Sequence, residues 1–515
     1  MFFSNSLFFR WLSDMIQRME QLSQNIYTAA QVNELDRYAM ESFNISGNVL
    51  IERAGEAAFK CLMKQWPDTK RLIILCGTGN NAGDGFVIAR LAMEQELDVR
   101  VLQVGDENKL QGDALAAQQR LLGSGLTPIN FSQAQDLDAN DCDVVVDAML
   151  GTGIHGDVDG KYAEAIGILN AQLTPVFSID IPSGLNADTG MPQGAAIKAT
   201  LTITYVGFKQ GLITGDGPEY SGKVIFTDLN LPKALYDMRS PAGYRLDYGH
   251  LSQLLSKRLR NAHKGDFGHV VLIGGARGMP GAIRLAGEAA ARTGAGRVTV
   301  VTHPDHAATL NATRPELICY GIEKAEEIQP LLALATVIGI GPGLGQSKWA
   351  QDLLVLAMES GLPMVVDADA LNLLAESNQS YDNWILTPHP GEAGRLLGKS
   401  TTEVQADRFG SVKDIADQFG GIAVLKGLGT LIKSKDGLPS VCPYGNPGMA
   451  TGGMGDVLTG IITGLIAQGL SNQDATELGV VIHSRAGDEA AKVIGERGML
   501  ASDLMSGIRR LVNPQ

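Results

Sequence analysis

Cysteine is scarce in this chain, and no two cysteines form a CxxC pair. The five cysteines lie at positions 61, 76, 142, 319 and 442 of 515 residues. Structural zinc sites and disulfide frameworks need closely spaced or paired cysteines, so this spacing argues against both. We therefore expect the protein to work in a reducing compartment, the cytoplasm.

The chain also lacks long apolar runs and a surplus of basic residues. No apolar run reaches the ~18 residues of a membrane-spanning helix, so we expect no membrane partner. The formal net charge of -14 argues against a nucleic-acid surface, which needs clustered Lys and Arg. Binding of a small anionic ligand is still compatible with this charge, because backbone N–H groups can hold it. Residues 1–24 lack an Ala-x-Ala cleavage pattern and predict an N-terminal extension, not a signal peptide.

The order of apolar runs predicts two α/β domains. The chain is too long for one ordinary core, and Val/Ile/Leu runs alternate with helical patterns in both halves. Such runs indicate strands buried on both faces, so we expect two Rossmann-like open parallel sheets with helices on both faces. The domains are predicted at 25–230 and 246–515, with a Pro-containing linker at 231–245. Strands are predicted at 71–76, 98–105, 143–150, 175–182, 201–207, 223–229, 268–275, 297–303, 335–341, 363–369, 384–388, 422–427 and 430–434, and a helix near 84–97.

The first half carries two glycine-rich loops directly after predicted strands. The stretch "CGTGNNAGDG" (76–85) fits the dinucleotide fingerprint G-x-G-x-x-G/A. The stretch "GTGIHGD" (151–157) offers a second cradle in which backbone N–H groups can approach a phosphate. Two such cradles suit a ligand with more than one phosphate.

Oxygen-bearing side chains follow three strands of the same half. Asn81, Asp147 and Ser183 together suit a hard cation, and one carboxylate among neutral oxygens favours a monovalent ion. The alternative is that Asn81 and Ser183 only form turns and caps. Asp180, in "SIDIPSG", is a candidate general acid/base with Lys209 as a charged partner. A solvated Asp at a strand end is the other interpretation.

These three motifs resemble the NAD(P)H-hydrate (NAD(P)HX) epimerase domain over roughly residues 25–230. The resemblance implies a K⁺ ion held by Asn81, Asp147 and Ser183, and Asp180 as a catalytic residue. Ala82 stands where the family usually has glycine, and its methyl group would crowd a backbone position of positive φ; we do not expect loss of function. The resemblance assigns substrate contacts to Asn80, Asn81, Ala82, Gly83, Asp84, Gly151, Thr152, Gly153, Ile154, His155, Gly156 and Asp157.

In the second half, "NPGMATGGMGDVLTG" (446–460) places glycines and Asp456 before an apolar helix. Backbone N–H groups at a helix N-terminus can hold a phosphoryl group in transfer, and the carboxylate can accept a proton from a hydroxyl. The pattern resembles the ribokinase-like family. The alternative is a glycine-rich helix cap. Asp367 and Asp369 either reach a Mg²⁺-bound phosphate or cap the next helix, and we expect capping for at least one.

The set "KGDFGHVVLIGG", "GPGLG", "TPHPGEAGRLLG", "KGLGT" and "NPGMATGGMGD" is similar to the ADP-dependent NAD(P)HX dehydratases over roughly 245–513. The resemblance implies Mg²⁺, ADP as co-substrate and Asp456 as the catalytic base. It assigns substrate contacts to Gly343, Pro388, His389, Pro390, Gly391, Glu392, Ala393 and Gly394. It assigns nucleotide contacts to Lys426, Gly427, Leu428, Gly429, Thr430, Asn446, Pro447, Gly448, Met449, Ala450, Thr451, Gly452, Gly453, Met454 and Gly455.

Together the two resemblances imply one enzyme that epimerises hydrated NADH and NADPH (NADHX and NADPHX) and dehydrates the S epimer. We expect a homo-oligomer, such as a tetramer. Three alternatives are a small-alcohol or vitamin kinase, a first domain that only binds partners, and a nicotinamide dehydrogenase. "TPHPGEAGR" argues against the kinase, and intact Asn81, Asp147, Asp180 and Ser183 argue against the binding module. The dehydrogenase would need one long dinucleotide fold with a separate substrate domain.

Overall fold

The computed structural model of the chain describes residues 24–132, 137, 141–154, 156–312, 314–377 and 379–514. It divides into two compact units, the first ending at Gly243 and the second beginning at Tyr244. The predicted extension lies outside the described residues except for Gln24. No helix in the described part of the chain is both long and apolar enough to cross a lipid bilayer.

The first unit is built on a seven-stranded sheet in which every neighbouring pair is parallel. The strands of the whole unit, including two outside this sheet, are β1 (Asn25–Tyr27), β2 (Arg71–Cys76), β3 (Asp98–Gln103), β4 (Ile129–Asn130), β5 (Val144–Ala148), β6 (Val176–Ile179), β7 (Leu201–Tyr205), β8 (Phe208–Lys209) and β9 (Lys223–Thr227). Its helices are α1 (Ala29–Phe43), α2 (Gly47–Gln65), α3 (Asn80–Glu94), α4 (Gly112–Gly123), α5 (Gly160–Asn170) and α6 (Gly217–Ser221). Outside the sheet, β1 pairs with β8 in parallel.

The strand order of this sheet is β4-β3-β2-β5-β6-β7-β9. The chain runs outwards from β2 to β4 and then returns to place β5 on the other side of β2. Such a reversal opens a crevice at the carboxyl ends of the two central strands, where ligands bind in open α/β sheets. The loops after β2 and β5 meet there, and both carry predicted site residues.

The second unit has a longer sheet that is parallel except at one strand, β18. Its strands are β10 (Gly243–Arg245), β11 (His269–Ile273), β12 (Arg297–Thr302), β13 (Ile318–Gly321), β14 (Val337–Ile340), β15 (Met364–Val366), β16 (Trp384–Leu386), β17 (Ile422–Leu425), β18 (Thr430–Ser434) and β19 (Ser440–Cys442). Its helices are α7 (Tyr248–Leu251), α8 (Pro280–Thr293), α9 (Pro304–Leu310), α10 (Gln329–Leu332), α11 (Lys348–Glu359), α12 (Ala368–Ala375), α13 (Pro390–Leu397), α14 (Thr401–Ala406), α15 (Arg408–Phe419), α16 (Met454–Ala467), α17 (Asn472–Ile494) and α18 (Leu504–Leu511).

Order in this second sheet is β13-β12-β11-β14-β15-β16-β17-β18-β19-β10, with β18 antiparallel to both of its neighbours. The reversal falls between β11 and β14, so the loops after β14, β15, β16 and β17 share one edge of the sheet. Helix α16 is apolar all round, with twelve of its fourteen residues buried, and it packs behind that edge.

The predicted strands are confirmed, and two of them, 71–76 and 430–434, match β2 and β18 at both ends. Most others were predicted one to four residues too long, because the apolar letters continue into the buried loops that follow. The prediction missed six short strands, β1, β4, β8, β10, β13 and β19, of which β4 and β13 are also exposed at sheet edges.

The helix predicted near 84–97 was placed wrongly, since α3 begins at Asn80. Of the fingerprint glycines, Gly77 therefore precedes the helix and Gly79 is its N-cap, while Asn80 to Gly83 form the first helical turn. Ala82 is helical, has no positive φ and is fully buried in the core. The expected crowding of its methyl group does not arise.

Candidate active sites

A cavity of about 920 Å³ lies at the strand-order reversal of the first unit. The loop after β2 and the loop after β5 face each other across it. Asp36 of α1, which the sequence analysis did not single out, also contributes to the wall. The predicted site residues that line it are Asn80, Asn81, Asp84, Gly151, Thr152, Gly153, Ile154, Gly156, Asp157 and Asp180.

Three other predicted residues are placed differently. Ala82 packs into the core beneath the cavity and is fully buried. Gly83 allows close helix packing, because a Cβ there would lie 2.9 Å from the Ile51 side chain and 3.2 Å from the Ala114 backbone. Neither residue is among those that line the cavity. His155 lies outside the described residues.

The predicted cation ligands lie together at the cavity, with Asn81 lining it and Asp147 and Ser183 buried beside it. Asp147 is fully buried and accepts hydrogen bonds from Ser178 Oγ at 2.8 Å and from the Ser183 backbone N–H at 2.9 Å. Asn81 Nδ2 donates to the Leu150 carbonyl oxygen at 3.2 Å, and the Ser183 hydroxyl donates to Asp147 Oδ1 at 2.5 Å. Burial raises the pKa of Asp147, against the hydrogen bonds from Ser183 and Ser178 that lower it.

One atom of this cluster has no partner. Asn81 Oδ1 is buried and accepts no hydrogen bond from the described residues. A buried acceptor without a donor costs free energy unless something else satisfies it. Together with the Leu150 carbonyl, the Ser183 hydroxyl and the Asp147 carboxylate, it forms a set of oxygens that fits a monovalent cation.

Asp180 is held in a strained position at the cavity. Its φ is +68°, in the left-handed region that non-glycine residues rarely adopt. Lys209, 1% exposed, forms an ion pair with its carboxylate and donates to Thr204 Oγ1 at 3.1 Å and to the Tyr205 carbonyl at 2.9 Å. The lysine thus fixes Asp180 facing the cavity.

Two further carboxyls share this charged region. Burial raises the pKa of Asp36 to about 6, with Lys209 lowering it and Asp180 raising it. Burial, reinforced by the charges of Asp180 and Asp36, holds the pKa of Asp84 well above its ordinary value. Asp36 was missed because it lies in an ordinary amphipathic helix pattern far from any loop motif.

In the second unit, the predicted glycine turn forms the N-terminus of α16. Gly453 has a φ of +93°, and a Cβ there would lie 2.6 Å from Leu285 Cδ1. Asp456 sits in the first helical turn. Burial and the negative charge of Asp367 raise the pKa of Asp456 to about 6, against the opposing charge of Lys426. Free backbone N–H groups and a carboxyl therefore share one helix end.

Lys426 joins three of the predicted loops. Its Nζ contacts Asp367 Oδ1 at 2.8 Å and Glu392 Oε2 at 3.8 Å. A Cβ on Gly455 would lie 3.1 Å from the same Nζ, so this glycine lets α16 approach the lysine. Burial alone would lower the pKa of Lys426, but the charges of Asp367 and Glu392 raise it, so the lysine stays charged.

Neither of the two aspartates after β15 acts as a simple side-chain cap. Asp367 occupies the N-cap position of α12, but its carboxylate accepts hydrogen bonds from Lys426 and from Thr459 Oγ1 at 3.2 Å. Asp369 accepts a hydrogen bond at 2.8 Å from the backbone N–H of Gly345, in the "GPGLG" loop. The expected capping was wrong because nearer donors take both carboxylates.

The loops after β14 and β16 are tightly built. Gly343 has a φ of +59°, and a Cβ there would lie 2.7 Å from the Met279 carbonyl oxygen. His389 and Glu392 form a reciprocal capping box at the start of α13, which places Pro388, Pro390, Gly391, Ala393 and Gly394 around one helix end. Glu392 is only 5% exposed. Polar groups in this turn therefore organise the loop as well as line the edge.

Two residues that the sequence analysis missed shape the predicted nucleotide loops. Arg408 is 1% exposed and donates from Nη2 to the carbonyls of Leu425, Lys426 and Gly429, at 3.2 to 3.4 Å. Asp488 of α17 accepts from Asn446 Nδ2 at 3.0 Å. Both lie in charged helical stretches that resemble solvent-exposed faces, so no local sequence signal marks them.

The described residues contain no group of three or more His, Cys, Asp or Glu side chains able to hold a metal ion. In the described part of the second unit, Asp367 and Asp369 are already bonded to Lys426 and to the Gly345 backbone. A divalent ion would have to enter with the phosphates of a nucleotide.

Comparisons with known proteins match a family model in each unit. A family model described as NAD(P)H-hydrate dehydratase matches residues 270–510, and one described as YjeF-related protein N-terminus matches 47–211. The bifunctional NAD(P)H-hydrate repair enzyme Nnr of Coxiella burnetii is 49% identical, with 95% of this chain and 99% of that protein covered. The Escherichia coli enzyme of the same name is 40% identical, with 95% of each covered.

Among solved structures, the chain is similar to an ADP/ATP-dependent NAD(P)H-hydrate dehydratase from Bacillus subtilis, co-crystallized with ATP/Mg²⁺. The identity is 29%, the TM-score is 0.46, and the match covers 52% of this chain and 96% of that one. It is also similar to a ribokinase-like superfamily protein from Enterococcus faecalis, at 32% identity and a TM-score of 0.49, with 52% of this chain and 94% of that one covered.

Proposed function

The chain belongs to the family of bifunctional NAD(P)H-hydrate repair enzymes, and we propose that its two units divide the repair between two sites. NAD(P)H that has added water across its reduced ring exists as R and S epimers. The first unit interconverts them, and the second converts the S epimer back to NAD(P)H. One chain can thereby restore both epimers.

The observation that carries this proposal is that each unit has an aspartate beside the loops at the carboxyl ends of its parallel strands, and we propose that both aspartates are catalytic. Asp180 faces the cavity of the first unit. Asp456 stands at the N-terminus of α16 in the second. A nicotinamide dehydrogenase would need one such site for a cofactor and not two for a substrate.

In the first unit, the helix end at Asn80 and the loop at 151–157 hold the phosphates of the dinucleotide. Asp180, fixed by Lys209, moves a proton at the hydrated carbon. Asn81, Asp147 and Ser183, with the Leu150 carbonyl, would hold K⁺, and the unsatisfied Asn81 Oδ1 supports this. When bound, K⁺ supplies positive charge that places substrate oxygens.

In the second unit, we propose a kinase-like route to dehydration, with ADP as co-substrate. The Asp456 carboxylate accepts the proton of the ring hydroxyl, and the hydroxyl oxygen takes the terminal phosphoryl group as its bond to the nucleotide breaks. Backbone N–H groups of 453–455 stabilise the charge on that phosphoryl group. Phosphate then leaves with its oxygen, and loss of a proton from the neighbouring carbon restores the ring double bond.

Two other parts of the proposal concern the nucleotide and the assembly. Mg²⁺ would arrive bound to ADP, since the described acidic residues form no cluster for it. The B. subtilis relative is an ADP/ATP-dependent NAD(P)H-hydrate dehydratase that was co-crystallized with ATP/Mg²⁺. We also propose a cytoplasmic homo-oligomer, such as a tetramer, which light scattering on the purified chain can check.

Product analysis tests this function. Purified protein is given mixed NADHX epimers with Mg²⁺, K⁺ and ADP, and products are separated by chromatography. We expect both epimers to disappear and NADH absorbance to recover in full. Accumulation of a stable phosphorylated hydrate would contradict the dehydratase, and survival of the R epimer would contradict the epimerase.

A further inference from the structure

The inner end of the first cavity contains polar groups that the mechanism above does not use. Asp84 is 8% exposed and lines the cavity, yet no hydrogen bond or ion pair holds its carboxyl among the described residues. Tyr205 is 5% exposed, also lines the cavity, and its buried Oη has no hydrogen-bond partner in the described part of the chain. Unsatisfied groups of this kind call for an occupant that satisfies them.

The groups that face Asp84 come from several elements of the unit. They are Asp36 of α1, Cys76 at the end of β2, Asp180 after β6, Tyr205 of β7 and Lys209 of β8. The only cation among them is Lys209, whose hydrogen bonds go to Asp180, Thr204 and the Tyr205 carbonyl. A buried carboxylate beside two others, with no counter-charge of its own, takes up a proton.

We propose that Asp84 is the general acid of epimerisation, opposite Asp180 as the base, and that the Tyr205 hydroxyl hydrogen-bonds the reacting ring. This assignment rests on the epimerase activity proposed for the first unit. It gives the cavity the pair of proton donor and proton acceptor that a reversible isomerisation requires.

The step can be written with every atom accounted for. Hydration of the ring double bond leaves the hydroxyl on the carbon bonded to the ring nitrogen. Asp180 takes the hydroxyl proton, the carbon–nitrogen bond breaks to give an aldehyde, and Asp84 gives its proton to the nitrogen. After rotation the nitrogen attacks the other face of the aldehyde. Its proton returns to Asp84, and the new alkoxide recovers the proton from Asp180.

The substitution Asp84→Asn tests the assignment, because asparagine has the same size and can still donate hydrogen bonds. We expect kcat for epimerisation to fall by about 100-fold or more, with KM for NADPHX nearly unchanged. The thermal transition of the first unit and the dehydratase rate should stay at wild-type values. Full epimerase activity in this variant would overturn the assignment. A loss of kcat/KM that came only from a higher KM would also overturn it.

The pH profile separates proton donation from a structural role. Asp84 must be protonated, so wild-type kcat should fall as pH rises past the pKa of Asp84. Asp84→Glu should keep this alkaline fall, and Asp84→Asn should lose it. Asp36→Asn removes a negative charge near Asp84, so the fall in kcat should move to lower pH. An unchanged pH profile would contradict the proposed interaction between Asp36 and Asp84. Absence of epimerisation in the wild-type protein would instead sink the proposed function itself.

Discussion

The two proposed active sites both lie at the carboxyl ends of parallel strands, but their charged groups differ. In each, a lysine pairs with an aspartate, Lys209 with Asp180 in the first unit and Lys426 with Asp367 in the second. In the first unit, further carboxyl groups surround a large cavity, and a cluster of mostly neutral oxygens lies beside it. The second adds a glycine turn with backbone N–H groups. The proposed isomerisation needs protein groups that give and take protons, whereas the proposed dehydration must also handle a phosphoryl group.

The largest expected effect comes from Asp456→Asn. An amide cannot accept the hydroxyl proton, so dehydration should fall by about 1000-fold, while epimer exchange stays at the wild-type rate. The measurement is NADH formation alongside chromatographic epimer ratios. Asp436→Asn, at an exposed position of the same unit, is the matched control. Loss of both activities in Asp456→Asn would contradict separate sites.

Lys209→Met should disable the first site and destabilise its unit. Removing the lysine leaves Asp180 without its counter-charge, and breaking such a buried pair costs about 3 kcal/mol. Calorimetry should show a lower unfolding temperature for the first unit only, and epimerisation should be lost. The exposed Lys198→Met is the control. A fall in the second unit's transition would show that the two units do not unfold independently.

Potassium should matter at one site more than at the other. Replacing K⁺ with tetramethylammonium should slow epimerisation by about 10-fold or more, since ligand loss commonly costs 10–100-fold, and leave dehydration nearly unchanged. Asn81→Ala should weaken the response to K⁺, because it removes the oxygen that has no protein partner. Equal sensitivity of both activities to K⁺ would count against the cluster of Asn81, Asp147 and Ser183.

The fall of the dehydration rate at low pH should reflect the protonation of Asp456. As a base it must be ionised, and its pKa is raised to about 6. We therefore expect kcat/KM for the S epimer to be flat above neutral pH and to fall about tenfold per pH unit below that pKa. The profile is measured with saturating ADP. If the rate fell only near the ordinary pKa of aspartate, burial and the charge of Asp367 would not be raising the pKa of Asp456.

Much of this architecture could be predicted because strands and glycine turns leave local signals. The runs at 71–76 and 430–434 matched strands at both ends, and the order of motifs placed most of the predicted loop residues at sheet edges. Asp36, Tyr205 and Arg408 could not be predicted, because only tertiary packing brings a helix or a strand end to the site. The start of α3 was misjudged for a related reason, since a glycine-rich sequence disfavours helix until its packing is known.

The most direct test of the central claim supplies only the R epimer of NADPHX, with ADP, Mg²⁺ and K⁺, and follows NADPH formation over short times. Wild-type protein should form NADPH readily, Asp180→Asn should form it only as fast as the epimer converts spontaneously, and Asp456→Asn should form almost none. Mixing the two variants should restore the wild-type rate. A mixture no faster than Asp180→Asn alone would contradict two separate sites acting in sequence.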